Sequence, residues 1–202
     1  MRFLALGDSY TIGEAAEPAE RWPEQLAEML RTRGVNIEVI EIVAATGWTT
    51  DELSAAIDAV RPTGPYDLVS LLIGVNNQYR GRTVEEYRRE FGQLLERAVD
   101  LAGGEPGRVI VLSIPDWGAT PFAEGRDRAQ IAREIDGFNA LNREAATSTG
   151  ARYVDVTPVS REAATDPALV ARDGLHPSGE QYRRWAELVL PAALLALGTP
   201  PS

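Results

Sequence analysis

Arg2-Phe3-Leu4-Ala5-Leu6-Gly7-Asp8-Ser9-Tyr10 begins as an apolar run and breaks off at a glycine and an aspartate. A short, continuous apolar run closed by such residues reads as a strand buried on both faces, the kind a parallel sheet contains. Thr11-Ile12-Gly13 then reads as a turn. A serine hydroxyl on a sharp turn at a strand end is held out of the core and towards a cleft. Alone it is more often a capping group than a nucleophile, because an unassisted hydroxyl needs an adjacent base. The chain has one histidine, His176. The fold must therefore bring residues 9 and 176 together if Ser9 is to act.

The same strand pattern recurs downstream. Ile37 to Val43 is rich in β-branched residues, and Asp67 to Ile73, Arg108 to Ile114 and Tyr153 to Val156 are further apolar runs, each a predicted strand. Helical spacing fills the gaps. One helix opens at Trp22-Pro23 and stops near Gly34. Thr49 with Glu52, Thr83 with Glu86 and Ser178 with Gln181 have capping-box spacing, opening helices that run to about Val60, Ala102 and Leu197. Another helix ends near Ser148, before Gly150. Residues 115–127 read as an irregular loop and a lid candidate, and short helices are predicted near 161–164 and 167–170. This βαβαβαβαβα alternation predicts an α/β fold with a parallel sheet and helices on both faces. With right-handed crossovers, the predicted sheet is five-stranded and flavodoxin-like, in the order 2-1-3-4-5. Residues 1–198 are expected to form a single domain and residues 199–202 a frayed tail.

Composition narrows the chemistry. The chain has 202 residues, 44% hydrophobic and 25% charged, which suits one sizeable core. Cysteine is absent and histidine occurs once, so disulfides and thiolate metal sites are excluded and no metal or cofactor is expected. A net charge of -10 without a basic run argues against nucleic acid and anionic membranes as partners. No stretch reaches the ~18–20 apolar residues of a spanning helix. The N-terminus lacks the pattern of a signal peptide, so the expected location is cytoplasmic.

In an open parallel sheet, ligands bind outside the carboxyl ends of the strands. Ser9 follows the first predicted strand, Gly47 the second, Asn76 the third and Trp117 the fourth, while Asp173 and His176 follow the fifth. All the candidates for chemistry thus share one edge. For acyl transfer, His176 is the available base, and Asp173 is close enough in a tight turn to orient its ring. The backbone N–H groups of Gly47 and Ser9 and the side-chain amide of Asn76 are neutral donors for an oxyanion. Asp8 reads as a structural hydrogen-bonding residue. Trp48, Tyr79, Trp117, Phe122 and Leu175 are candidates for lining the substrate cleft.

These blocks, Gly7-Asp8-Ser9-Tyr10, Gly47, Gly74-Val75-Asn76 and Asp173-Gly174-Leu175-His176-Pro177, resemble in kind and order those of the SGNH, or GDSL-type, hydrolases, a family of serine esterases and lipases. The resemblance spans almost the whole chain. It implies a three-layer α/β/α fold, with Ser9 as nucleophile, His176 as base and Asp173 as its partner. Ser9, Gly47 and Asn76 would form the oxyanion hole. Two positions depart from the family pattern: Tyr10 stands where leucine gives the family its name, and Asn77 where many members have aspartate. The expected activity is cleavage of small acyl or aryl carboxylic esters through an acyl-enzyme on Ser9, with a small-molecule ester as the partner. A sugar O-acetyl group or a thioester is the alternative substrate for the same site. The competing non-enzyme reading is a flavodoxin-like module in which Ser9, Thr11 and Gly13 cradle a phosphate or FMN. That module would have no use for Asp173 and His176. Acyl specificity and oligomeric state are not legible in the sequence.

Overall fold

The computed structural model describes residues 1–199. Its five strands are β1 (Arg2–Gly7), β2 (Val39–Ala44), β3 (Leu68–Leu72), β4 (Val109–Leu112) and β5 (Arg152–Val154). They form one parallel sheet in the order β2-β1-β3-β4-β5, the order expected from the alternation. The inner strands β3 and β4 are buried throughout, and β1 is buried from Phe3 onward. That is why they read as apolar runs: helices cover both their faces. The edge strands β2 and β5 are only partly buried. Glu41 within β2 accepts a hydrogen bond from the Tyr66 hydroxyl at 2.5 Å, and a charge on an edge strand discourages pairing with another chain.

The chain moves from β1 to β2 in one direction and then reverses across the sheet to β3. Right-handed crossovers therefore send the first connecting helix to one face and the next ones to the other. Accordingly α2 (Trp22–Arg31) packs against α8 (Gly179–Ala196), while α3 (Thr50–Val60), α5 (Val84–Leu101) and α6 (Arg128–Thr149) pack side by side. The α2–α8 side buries Trp22 and Trp185 completely. Phe3 meets the Trp22 ring at a centroid distance of 6.3 Å, and Tyr182 meets Trp185 edge-on at 5.4 Å.

Several local expectations change. The predicted turn at 11–13 is a helical turn, α1 (Ser9–Ile12), ended by Gly13 in the left-handed conformation. The second strand starts at Val39 rather than Ile37; the Ile37 N–H closes a tight turn on the Val35 carbonyl at 3.1 Å instead of joining the ladder. Two five-residue helices, α4 (Val75–Tyr79) and α7 (Thr157–Arg161), are too short to leave a periodic signature. The 115–127 segment contains two 3-10 turns, at Trp117–Ala119 and Pro121–Ala123. Of the three predicted capping boxes, the one at Thr49 has its return bond, Thr49 N–H to Glu52 Oε2 at 2.9 Å. At Thr83 and Ser178 only the cap oxygen is used, and Glu86 instead pairs with Arg82 at 2.8 Å. Of the expected tail, residues 200–202 lie outside the described residues, and the Thr199 N–H donates to the Leu194 carbonyl at 2.9 Å. Among the described residues, no helix is long and apolar enough to cross a membrane.

The sheet register places the candidate residues. Gly7 pairs with Ala44 on one side and Leu72 on the other. Ser9, Gly47 and Asn76 thus follow neighbouring strands that stop at the same level, where the winding reverses.

Candidate active site

A methyl group on Gly7 would come within 2.5 Å of the Leu72 carbonyl oxygen. Only glycine lets β1 turn this tightly into α1. Asp8 caps that helix, its Oδ1 accepting the Tyr10 N–H at 3.0 Å. Ser9 is the first residue of α1, where a backbone N–H has no helical acceptor. Among the described residues the Ser9 N–H makes no hydrogen bond within the chain. The Asp8 carboxylate is completely buried. Burial pushes its pKa up to about 7, against the opposing pull of the Tyr10 N–H.

Gly47 lies in the β2–α3 loop at φ 83°, left-handed backbone that favours glycine. Its N–H also makes no hydrogen bond among the described residues. Asn76, in α4, donates from Nδ2 to the Trp48 carbonyl at 2.9 Å, which leaves the second hydrogen of that amide for another acceptor. Asn77 is buried and turned away, towards the start of α3. Its Oδ1 accepts the Thr50 N–H at 3.1 Å and its Nδ2 donates to Thr50 Oγ1 at 2.7 Å. The end of β3 is held from beneath by the buried Tyr87 hydroxyl, 3.0 Å from the Ile73 carbonyl and 2.7 Å from Asn142 Oδ1.

His176 and Asp173 lie on the loop between β5 and α8. The ring Nδ1 is 2.6 Å from Asp173 Oδ2. The other carboxylate oxygen accepts the N–H groups of Leu175 and His176, both at 3.0 Å. Partial burial alone would raise the Asp173 carboxyl. The His176 ring and these two N–H groups outweigh it and hold the group below the ordinary carboxylate range. The His176 ring is buried and packs against Tyr10 at a centroid distance of 5.4 Å. Tyr10, the residue after Ser9, thus supports the imidazole. No hydrogen bond joins the Ser9 hydroxyl to the ring; in unliganded hydrolases that contact is often long and tightens with substrate.

A cavity of about 130 Å³ opens at this edge, with Ser9, Asn76 and His176 on its polar side. Its apolar wall includes Tyr79, Trp117, Phe122 and Leu175. Tyr79 meets Trp117 edge-on at 5.3 Å, and Trp117 meets Phe122 at 5.9 Å. Trp117 is fixed by its indole N–H, which donates to Gln78 Oε1 at 2.8 Å. The 115–127 segment is tied down: Asp116 pairs with Arg161 at 2.8 Å, and the Phe122 N–H donates to the Gly174 carbonyl at 2.9 Å. Three sequence candidates stand off the wall. Asp173 and Gly47 are absent from the cavity lining, Asp173 reaching it through the His176 ring, and Trp48 is half-buried with its side chain packed on the core. A larger groove of about 570 Å³ lies between α6 and α7. Its charges are already paired, Arg143 with Asp155 and Arg161 with Asp136.

Sequence reasoning missed the contributions of Tyr10, Asn77 and Arg80. Asn76 and Arg80 have the i, i+4 spacing of one helix face, a signal hidden because α4 was not recognisable as a helix.

Residues 5–184 match the GDSL-like lipase/acylhydrolase family. No curated protein sequence matches significantly. Similar solved structures include a variant of Axe2, an acetyl xylan esterase from Geobacillus stearothermophilus, with a TM-score of 0.70 and 21% identity over 100% of this chain and 96% of that one. TesA has a TM-score of 0.75 and 20% identity over 98% of this chain and 100% of that one. The psychrotrophic esterase EstA from Pseudoalteromonas sp., inhibited by monoethylphosphonate, has a TM-score of 0.75 and 16% identity over 98% and 99%.

Proposed function

Because this chain belongs to the GDSL-like lipase/acylhydrolase family, whose chemistry is carboxylic ester hydrolysis, we propose that it cleaves esters of short acyl groups through an acyl-enzyme on Ser9. The observation that carries this reading is His176, held by Asp173, on the same cavity wall as Ser9. With Nδ1 committed to Asp173, Nε2 is the nitrogen left to serve the hydroxyl.

Ser9 Oγ attacks the acyl carbon, and its proton passes to His176 Nε2. The oxyanion is met by the Ser9 N–H, the Gly47 N–H and the free Asn76 amide hydrogen, the donors that the chain leaves unused at this edge. Such donors are most effective when aimed in advance. Collapse breaks the ester C–O bond, and Nε2 returns the proton to the leaving alcohol. A water molecule then gives a proton to Nε2 and attacks the acyl carbon. Collapse of that intermediate restores the Ser9 hydroxyl and releases the acid. Asp173 stays ionised throughout and stabilises the imidazolium.

Cavity size supports the short acyl group. The cavity beside Ser9 and His176 is small, about 130 Å³, and Tyr79, Trp117 and Phe122 stand around it. A second reading, a sugar acetate, is favoured by the mouth of the cavity. Tyr79 and Phe122 remain 46% and 42% exposed there, offering aromatic faces to a ring, and acetyl xylan esterase structures are among those similar to this one. The test is a panel of p-nitrophenyl esters of increasing acyl length, with acetylated xylo-oligosaccharides alongside, run on wild type and Ser9→Ala. Activity should peak at two to four acyl carbons and vanish in the variant. Equal rates in the two proteins would overturn the assignment of Ser9.

A further inference from the structure

α4 is a five-residue helix, yet its side chains and its C-cap hold much of the loop that carries Gly47. Asn76 holds the Trp48 carbonyl and Asn77 holds Thr50. Arg80, the C-cap residue, donates from Nη2 to the Gly47 carbonyl at 2.6 Å. Its Nη1 lies 3.3 Å from Glu52 Oε1, and Glu52 Oε2 accepts the Thr49 N–H. One guanidinium therefore closes residues 47–52 into a ring. The same peptide is held a second time through the Trp48 N–H, which donates to the Ala45 carbonyl at 3.3 Å, but little crowds Gly47 itself. The single atom outside its immediate neighbours that would touch a side chain built there is Arg80 Nη2, at 3.6 Å. A glycine in left-handed backbone with so few contacts reorients its peptides at small cost.

We propose that Arg80 is a positioning residue for ester hydrolysis: by holding the Gly47 carbonyl it anchors the peptide that follows Gly47, and so limits how far the Gly47 N–H can swing away from the developing oxyanion. The proposal rests on the site reading above. It assigns Arg80 no contact with substrate. Its guanidinium is 42% exposed, so removing it costs little packing. Losing a whole oxyanion donor costs ~10²–10³ in kcat, and a loosened donor costs less, so the expected loss is about 10- to 100-fold. That loss falls on kcat, because the interaction strengthens only in the transition state.

The experiment is steady-state hydrolysis of p-nitrophenyl acetate by wild type, Ser9→Ala, Arg80→Ala, Arg80→Met and Arg80→Lys, each with a thermal melt. Arg80→Ala should lower kcat at least tenfold, change KM by less than threefold and melt cooperatively near wild type. Arg80→Lys keeps one donor for the Gly47 carbonyl and should recover part of the rate. Arg80→Met keeps the stem without donors, should match Arg80→Ala, and replaces it if the alanine variant fails to fold. A kcat within threefold of wild type in Arg80→Met, or equal rates in the Met and Lys variants, would overturn the clamp. A Ser9→Ala rate equal to wild type would instead count against the site itself.

Discussion

Asp173 and His176 are joined twice: Oδ2 holds the ring at Nδ1, 2.6 Å away, and Oδ1 holds the His176 backbone N–H at 3.0 Å. The carboxylate therefore sets both the tautomer of the ring and the turn that carries it. Replacing Asp173 with asparagine puts an amide beside Nδ1. If that amide donates, the ring proton moves to Nε2 and the base is lost. Asp173→Asn is expected to lower kcat by ~10³–10⁴, with the melting temperature shifted by a few degrees at most. Kinetics on p-nitrophenyl acetate with parallel melts check this. A loss below tenfold would show that His176 works without the carboxylate.

Acyl length should follow the size of the aromatic wall. Phe122 is 42% exposed, so Phe122→Ala opens the cavity at small cost to the core. Its kcat/KM for hexanoyl relative to acetyl esters should rise at least tenfold. Trp117→Ala should widen the preference further but destabilise by about 3–5 kcal/mol, because this side chain is buried. Unchanged acyl preference in both variants would remove the wall from the account of specificity.

Asn77 is neutral for a reason visible around Thr50. The Thr50 hydroxyl donates to Glu90 and accepts from Asn77 Nδ2. Two carboxylates cannot share that one hydroxyl proton. Asn77→Asp therefore buries an unmatched charge beside Glu90 and should cost about 3–5 kcal/mol. Adding Glu90→Gln supplies a donor from the other side and reverses the direction of the chain. A double-mutant cycle by chemical denaturation should give a coupling of about 1–3 kcal/mol in favour of the pair. Additive effects would count against this.

Asp8 makes stability depend on pH in the less common direction for a carboxyl group. Its folded pKa is about 7 against a reference of 3.8. Between these values the native state binds more protons than the unfolded chain. This group's contribution therefore weakens stability as pH rises through that window and is level above it, by an amount on the order of 4 kcal/mol. Asp8→Asn keeps an oxygen for the Tyr10 N–H and removes the titration. The difference in unfolding free energy between the two proteins should move in favour of the variant from pH 5 to pH 8. A difference independent of pH would show that Asp8 ionises normally.

The strands, their order and the shared edge were legible because buried parallel strands are apolar without interruption and because five candidate blocks each follow a strand. Ser9, Asn76 and His176 were readable for the same reason. What lay beyond reading was how they are supported. Nothing in the tetrapeptide says that Tyr10 packs on a ring far along the chain. Neither Asn77 nor Arg80 carries a signal when the helix bearing them is one turn long and they bond to a loop between other elements. Trp48 was expected to line the cleft because aromatics near a strand end often do. Its backbone carbonyl, rather than its ring, is the part that meets the site.

The bond from the Phe122 N–H to the Gly174 carbonyl joins the aromatic wall of the cavity to the turn that bears His176. An oversized acyl group that pushes Phe122 outward pulls on the segment holding His176. Under the proposed mechanism such a substrate would bind with His176 displaced from its line to Ser9. Selectivity along an acyl series should accordingly be written in kcat, with KM nearly level, so that long esters act as poorly turned-over occupants that inhibit hydrolysis of short ones.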